Sequence, residues 1–434
     1  MTRKILLSTL MLFISFNIAF SQKGYTPSET KAKAEKSNNE VTTAKANTNY
    51  KVWLKRAEIF GEIAESRLAG AYLNMGLAEA ELLVGKANAT SEIQVGGKLL
   101  TKLEYSYIDL FFEKGKLQYW DIKDSSVENP LETGYQAIEK AYSIDSSKSK
   151  KKVKETLLTY KNYFIKAANN AYGAGNKAEA AKYFALGFQT SAHAAVCSPD
   201  TLIAYFAAFS SLEAANYLEA VKYGQIALNH KCYQNGDTYK ILGEAYSSLK
   251  EIVKSKESYL KGIEAFPSNT ANIFGIINLY LSQNEDPKNV LPYLDKAIQL
   301  DQKNPSLYLI KGSFYEKFKD YEQALIWYKK SVDIDSKYFE GWNNVGVTYY
   351  NQALELINKS NRIDVNNKQE YEGLLKEADS KLKMSLEQFL VAYSINPKDK
   401  NLVENIKNIF FRFRNENEDM KKKYEEFNAI FQSI

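Results

Sequence analysis

The chain is poor in the residues that build metal centres and covalent cross-links. Its 434 residues include two histidines and two cysteines. That excludes a helical HExxH zinc site and a multi-cysteine zinc ribbon. Proline is scarce, at 8 residues, which favours long uninterrupted helices. No Walker loop and no nucleophile elbow is present. The nearest approach to a phosphate loop is Gly173-Ala174-Gly175. No strand pattern precedes it, and it reads as a C-cap glycine between two helices. An excess of one charge is lacking too: 57 Lys and Arg against 52 Asp and Glu leave a net charge of +5. Lys and Glu interleave along the helical stretches, and no concentrated basic block stands out, so nucleic acid is not an expected partner. Carboxylates on exposed helix faces, without a pocket to shift them, are not acid–base catalysts. The expectation is therefore a protein with no enzymatic activity, cofactor or metal.

What the chain does have begins with a leader. Arg3 and Lys4 precede an apolar run from Ile5 to Phe20, followed by Ala19-Phe20-Ser21 with small residues at −3 and −1. This is the tripartite pattern of a cleaved export signal, with cleavage before Gln22. The run of 16 residues is shorter than the ~20 needed to span a bilayer, and no later segment is long and apolar enough. No cysteine follows the cleavage site to carry a lipid anchor. Residues 1–21 are thus expected to be a signal peptide, and the mature protein periplasmic, in a Gram-negative bacterium, or secreted, with no direct membrane span. Residues 22–49 are rich in Lys, Ala, Thr, Ser and Asn and read as a flexible leader.

From Tyr50 onward the pattern is helical, and it repeats. The clearest unit starts at Pro305, with Tyr308, Gly312 and Tyr315 at unit positions 4, 8 and 11, then Tyr321, Ala324, Tyr328 and Ser331 at 17, 20, 24 and 27. The next starts 34 residues later at Phe339, with Trp342, Val345, Gly346 and Tyr349 in phase. An earlier one starts at Gly236, with Tyr239, Gly243, Tyr246, Tyr259 and Gly262 in phase. Small residues at 8, 20 and 27 let two helices approach closely; aromatics at 4, 11 and 24 fill the space around them. This set of residues resembles the tetratricopeptide repeat family, a 34-residue helix-turn-helix. The resemblance implies an all-α fold: a right-handed α-solenoid whose concave face is lined by first helices.

The same phase, extended, gives units at Lys161, Thr201 and Thr270. Two units are split. Trp53, Ala57 and Phe60 begin one whose second helix resumes only at Gly134, Ile138 and Ala141, leaving an insertion at about 61–130. In the unit from Phe339 the second helix resumes at Ser385, Phe389 and Ala392. Its insertion, about 352–383, is itself helical in pattern and should lengthen both helices. The expected organisation is a first unit over 50–160, an array over 161–398, and capping helices over 399–434.

The resemblance also implies where a partner would bind, since the groove is lined by positions 2, 5, 9 and 12. The candidates are Tyr205, Phe209, Leu212, Phe274, Asn278, Leu281, Leu309, Asn343, Val347 and Tyr350. They mix apolar surface with amides able to bond a peptide backbone. The groove positions lack the Lys and Arg array that clamps a C-terminal carboxylate, so capture of such a group is not expected. His193 and Cys197 lie at one inter-unit turn, His230 and Cys232 at the next. Buried free thiols, a Cys197–Cys232 disulfide and a Cys/His metal site all remain open on sequence grounds. The expected function is a periplasmic scaffold or adaptor for a protein or peptide partner, in envelope assembly or secretion. The competing expectation is an envelope protein that binds glycans by stacking Tyr and Trp on sugar rings.

Overall fold

The computed structural model describes residues 25–283, 287–364 and 367–433. The expected signal peptide lies outside them. The chain divides into two compact units, one ending at Phe266 and the other starting at Pro267. The fold is an all-α helix-pair repeat into which one small antiparallel sheet is inserted.

In the first unit, residues expected to form a flexible leader instead form α1, Pro27–Val41. Thr26 and Glu29 make a reciprocal capping box, and Pro27 opens the first turn. Thr30, Ala34 and Ser37 are buried. These small side chains supply no hydrophobic run in the sequence, yet they let a helix lie close to its neighbour, and for that reason composition misleads here.

The split unit is α2 (Tyr50–Ser66) with α4 (Pro130–Ile144). They meet through Leu54, Ala57, Ala137, Ile138 and Ala141, joined by Val153, Leu157 and Tyr160 of α5. The Tyr160 hydroxyl donates to the Ala57 carbonyl at 2.7 Å. Helix α5 runs unbroken over Ser146–Gly173, so the boundary expected at 160/161 falls in mid-helix. Asp145 starts it, its carboxylate accepting from the Lys148 amide at 2.9 Å. The remaining pairs are α5 with α6 (Lys177–Ala192), α7 (Thr201–Glu213) with α8 (Tyr217–Asn229), and α9 (Asp237–Ser248) with α10 (Ile252–Ala265).

The first insertion holds the short helix α3 (Leu77–Leu83) and a four-stranded meander that the all-α expectation did not include. Its strands are β1 (Ala89–Val95), β2 (Lys98–Glu104), β3 (Ile108–Glu113) and β4 (Lys116–Ile122), paired in that order. Gly96-Gly97 and Lys114-Gly115 join hairpins with positive φ at both residues, the backbone that two-residue hairpin turns require. Leu103, Leu110, Phe112, Leu117 and Trp120 cover Leu68, Met75 and Ala80. The far edge is sealed from inside the unit. The Asn170 amide of α5 donates to the Trp120 carbonyl at 3.1 Å and accepts from its N–H at 2.8 Å. Gly173 is where α5 meets β4: a Cβ there would lie 2.6 Å from the Gln118 carbonyl oxygen. That glycine serves packing.

A buried ion pair fastens the insertion to α1. Arg67 Nε reaches Asp124 Oδ2 at 3.1 Å, and Nη2 donates to the Val127 carbonyl at 2.8 Å. The Thr30 hydroxyl of α1 lies 2.7 Å from Ser126 Oγ and 3.4 Å from Asp124. Burial alone would raise the Asp124 pKa, but bonds from Ser126 and the Arg67 charge outweigh it, and the net shift is downward.

In the second unit the pairs are α11 (Thr270–Ser282) with α12 (Leu291–Leu300), α13 (Pro305–Lys317) with α14 (Tyr321–Ile334), and α15 (Phe339–Ser360) with α16 (Lys368–Ile395). The last two are extended, at 22 and 28 residues, because the second insertion continues both helices. Helices α17 (Lys400–Phe413) and α18 (Glu418–Ser433) close the chain over a core of Val403, Ile406, Phe410 and Phe427.

One contact recurs within the pairs. The position-8 glycine of the first helix receives the position-24 aromatic of the second. A Cβ at Gly243 would lie 2.5 Å from the Tyr259 ring, and one at Gly312 2.5 Å from Tyr328; Gly346 faces Phe389 in the same way. Where position 20 is serine it bonds the same glycine: Ser255 Oγ donates to the Gly243 carbonyl at 2.7 Å, and Ser385 Oγ to Gly346 at 2.8 Å.

Two outcomes follow from these contacts. Gly243→Leu or Gly346→Leu should separate its helix pair, costing at least ~1–3 kcal/mol by overpacking and loosening adjacent pairs; a wild-type melting temperature would contradict the assigned phase. Asp124, with its pKa depressed on folding, stabilises the docked α1 above its unfolded value of about 3.9 and loses that contribution as pH falls through the folded value. Amide exchange in α1 should therefore accelerate below about pH 4, and Asp124→Asn should abolish that dependence.

Candidate partner-binding surface

The groove candidates divide between the two units. In the first, α7 carries Tyr205, Phe209 and Leu212 at successive turns, which places them on one side of the helix. Tyr205 is buried, at 3% exposure, within the core cluster of α5 to α9. Burial pushes its phenol pKa up. It is therefore a packing residue that supports the surface from beneath. Phe209 and Leu212 are half-buried and pack on that core. The Phe209 ring lies 6.5 Å from Tyr205 in a stacked arrangement and 6.0 Å from Tyr172 of α5. The Lys177 ammonium sits 3.1 Å over the Tyr172 ring, a cation–π contact that holds the ring in place. Tyr172, Phe209 and Leu212 thus form an aromatic and aliphatic strip backed by a rigid core.

In the second unit, Phe274, Asn278 and Leu281 follow one another along α11. Phe274 is half-buried, Asn278 exposed and Leu281 40% exposed. Leu309 is half-buried against Tyr328 and Val345. Val347 and Tyr350 pack on the C-terminal core, with Tyr350 6.4 Å from Phe389; Asn343 is half-buried beside them in sequence. Glu316, a natural choice for a charged rim, is held inside its own unit. It accepts from the Tyr328 hydroxyl at 2.7 Å, Asn351 Nδ2 at 3.3 Å and Thr348 Oγ1 at 3.4 Å. Its charge stabilises the repeat.

The disulfide does not form. Both thiols are free, Cys197 exposed and Cys232 buried. Cys197 sits in a turn at φ 52° and donates to the Ala194 carbonyl at 3.0 Å, while Cys232 is part of the α5–α9 core. His193 accepts from the Ala195 amide and lies 3.5 Å from Glu139. Among the described residues no group of three or more His, Cys, Asp or Glu is placed to hold a metal.

Residues 305–338 match the family model of the tetratricopeptide repeat. Those are the 34 residues in which glycine, aromatic and small positions are most complete, and Gly312 and Tyr328 are in contact there as the repeat requires. The chain contains a tetratricopeptide repeat. A TPR repeat-containing protein of Methanocaldococcus jannaschii is 25% identical over 171 residues, 36% of this chain and 30% of that protein. Anaphase-promoting complex subunit 3 of Schizosaccharomyces pombe is 27% identical over 99 residues, 23% of this chain and 15% of that one. The chain thus spans less than a third of the length of these curated relatives. Among solved structures, a TPR repeats protein from Bacteroides fragilis is 21% identical at a TM-score of 0.29, over 57% of this chain and 97% of that one. YrrB, a TPR protein with an unusual peptide-binding site, is 18% identical at 0.34, over 47% and 91%.

Such repeats are, in general terms, scaffolds for binding other proteins. Two features of the chain escaped sequence reading. The meander was announced by Gly96-Gly97 and Lys114-Gly115 between strand-like runs, a recognised hairpin signal. A local basic run, Lys148, Lys150, Lys151, Lys152 and Lys154, was averaged away in the whole-chain charge.

The two roles assigned to α7 separate by mutation. Tyr205→Ala should lower stability by ~3 kcal/mol or more, as for other core aromatics. Phe209→Ala, at the surface, should cost under about half of that. Equal melting temperatures for the two variants would refute the distinction between support and surface.

Proposed function

We propose that this protein is an exported, non-enzymatic scaffold of the cell envelope that holds a protein or peptide partner against its first-helix faces. The observation that carries the reading is the strip of Tyr172, Phe209 and Leu212. These large side chains remain half-exposed after the repeat core is complete, and they are braced from below by buried Tyr205. Pre-ordered aromatic surface binds with little loss of side-chain entropy, which is how a few residues dominate an interface. In the second unit, exposed Asn278 beside Leu281 pairs an amide that can bond a backbone with apolar surface. Export rests on the leader: basic Arg3 and Lys4, the apolar run to Phe20, and small residues before Gln22. Assembly or secretion at the envelope is the setting that this address favours.

Two experiments test the proposal. Phe209→Ala and Tyr172→Ala should each weaken a captured partner by ~2 kcal/mol or more without a matching loss of fold. Deletion of 358–377, within the second insertion, should leave binding intact; if it abolishes binding while the two aromatic variants bind normally, the insertion is the site and the strip is not. N-terminal sequencing of the native protein should begin at Gln22. An intact Met1, or recovery from the cytoplasm, would overturn export.

A further inference from the structure

Helix α5 carries the densest run of like charge in the chain. Lys148, Lys150, Lys151, Lys152 and Lys154 are all exposed within seven residues. With Asp145 and Glu155 at its borders the segment carries five positive and two negative charges, a net +3 of the chain's +5. Two of the lysines have counterions. Lys148 lies 3.4 Å from Asp145, and Lys152 lies 3.7 Å from Glu155 and 3.8 Å from Glu58 of α2. Lys150, Lys151 and Lys154 make no ion pair with any described residue.

The run begins against helix electrostatics: Lys148 sits in the first turn of α5, where the dipole is positive and cations are repelled, and the other four lysines follow in the next two turns. The segment also lies outside the repeat, whose first helix by spacing starts only at Lys161. Repeat packing therefore does not account for the run. The opposite side of the same turns is anchored: Ser149, Val153, Leu157 and Tyr160 are buried. Lys151 and Lys154 stand along the outer face at i and i+3, followed at i+7 by Leu158, 38% exposed. This is an exposed face with flexible point charges around one apolar side chain. Such a face suits a diffuse layer of negative charge better than a folded acidic ligand, which would need fixed, directional partners.

We infer that this end of α5 docks the protein on a membrane surface through phosphate-bearing anionic lipid headgroups, with Lys150, Lys151 and Lys154 as the contacts. Charge complementarity selects the partner, and Leu158 enters the interfacial region. The inference stands apart from the strip on α5 and α7 and does not depend on it.

The test is cosedimentation of the purified full chain with vesicles of phosphatidylglycerol in phosphatidylcholine, against phosphatidylcholine alone. The chain should pellet with the anionic vesicles only, and raised salt should release it. The triple variant K150E/K151E/K154E should bind about a hundredfold more weakly, since each lysine near an anionic surface is worth roughly fivefold. K421E/K422E/K423E, an equal charge change on α18, should bind as wild type, which excludes a net-charge effect. The lysines are exposed, so an unchanged melting temperature confirms that the first variant is folded. Wild-type binding by that variant, or equal binding to neutral vesicles, overturns the proposal. So does binding of soluble polyglutamate at these lysines with no binding to anionic vesicles, which would make the partner an acidic polypeptide.

Discussion

The contact between a glycine on one helix and an aromatic ring on the next is the constraint from which the repeat follows. With no Cβ at Gly243, Gly312 or Gly346, the rings of Tyr259, Tyr328 and Phe389 lie directly on the backbone of the paired helix. The approach brings serine hydroxyls at Ser255 and Ser385 within bonding distance of the same glycine carbonyls. Dispersion over a whole aromatic face and a buried hydrogen bond thus act at one point. Because these three pairs are held this way, a unit can lengthen its helices outward without changing how they meet. Helices α15 and α16 do so, with Gly346 against Phe389 at the repeat position and extra turns beyond it.

The inserted meander in the first unit is attached by different physics. It is a thin sheet, and an isolated meander of this size has too little core to stand alone. Its apolar face lies on Leu68, Met75 and Ala80, its far edge is capped by Asn170, and Gly173 admits the β4 backbone against α5. The Arg67–Asp124 pair adds direction. Two buried charges are stable only with hydrogen bonds around them, and Val127, Ser126 and Thr30 supply these. Helix α1 is thereby drawn into the fold by polar contacts, although its own sequence offers almost no hydrophobic surface.

A division of labour follows within the candidate surface. Tyr205 is committed to the core, while Tyr172, Phe209 and Leu212 rest upon it half-exposed. Glu316, which looks like a surface charge, is satisfied by Tyr328, Thr348 and Asn351. Rigid support beneath and adaptable residues above is the arrangement that a binding scaffold needs.

The repeat itself was legible in the sequence alone. Small and aromatic residues in a fixed 34-residue phase have one geometric solution, so unit starts at Gly236, Pro305 and Phe339 and the elongated pair around 352–383 could be read directly. Groove positions could be numbered from the same phase. Depth could not, because whether a position-5 tyrosine points to solvent or to the next pair depends on how neighbouring helices stack, and at Tyr205 the neighbours bury it. The ordered α1 and the sealed edge of the meander were likewise decided only by tertiary structure. Both rest on polar partners far apart in sequence: Thr30 lies 94 residues from Asp124, and Trp120 lies 50 from Asn170. Local pattern carries no information about hydrogen bonds of that range. The cysteines make the same point in reverse. A spacing of one repeat invited a disulfide, but the backbone turn at Cys197 and the burial of Cys232 leave the two thiols in separate surroundings.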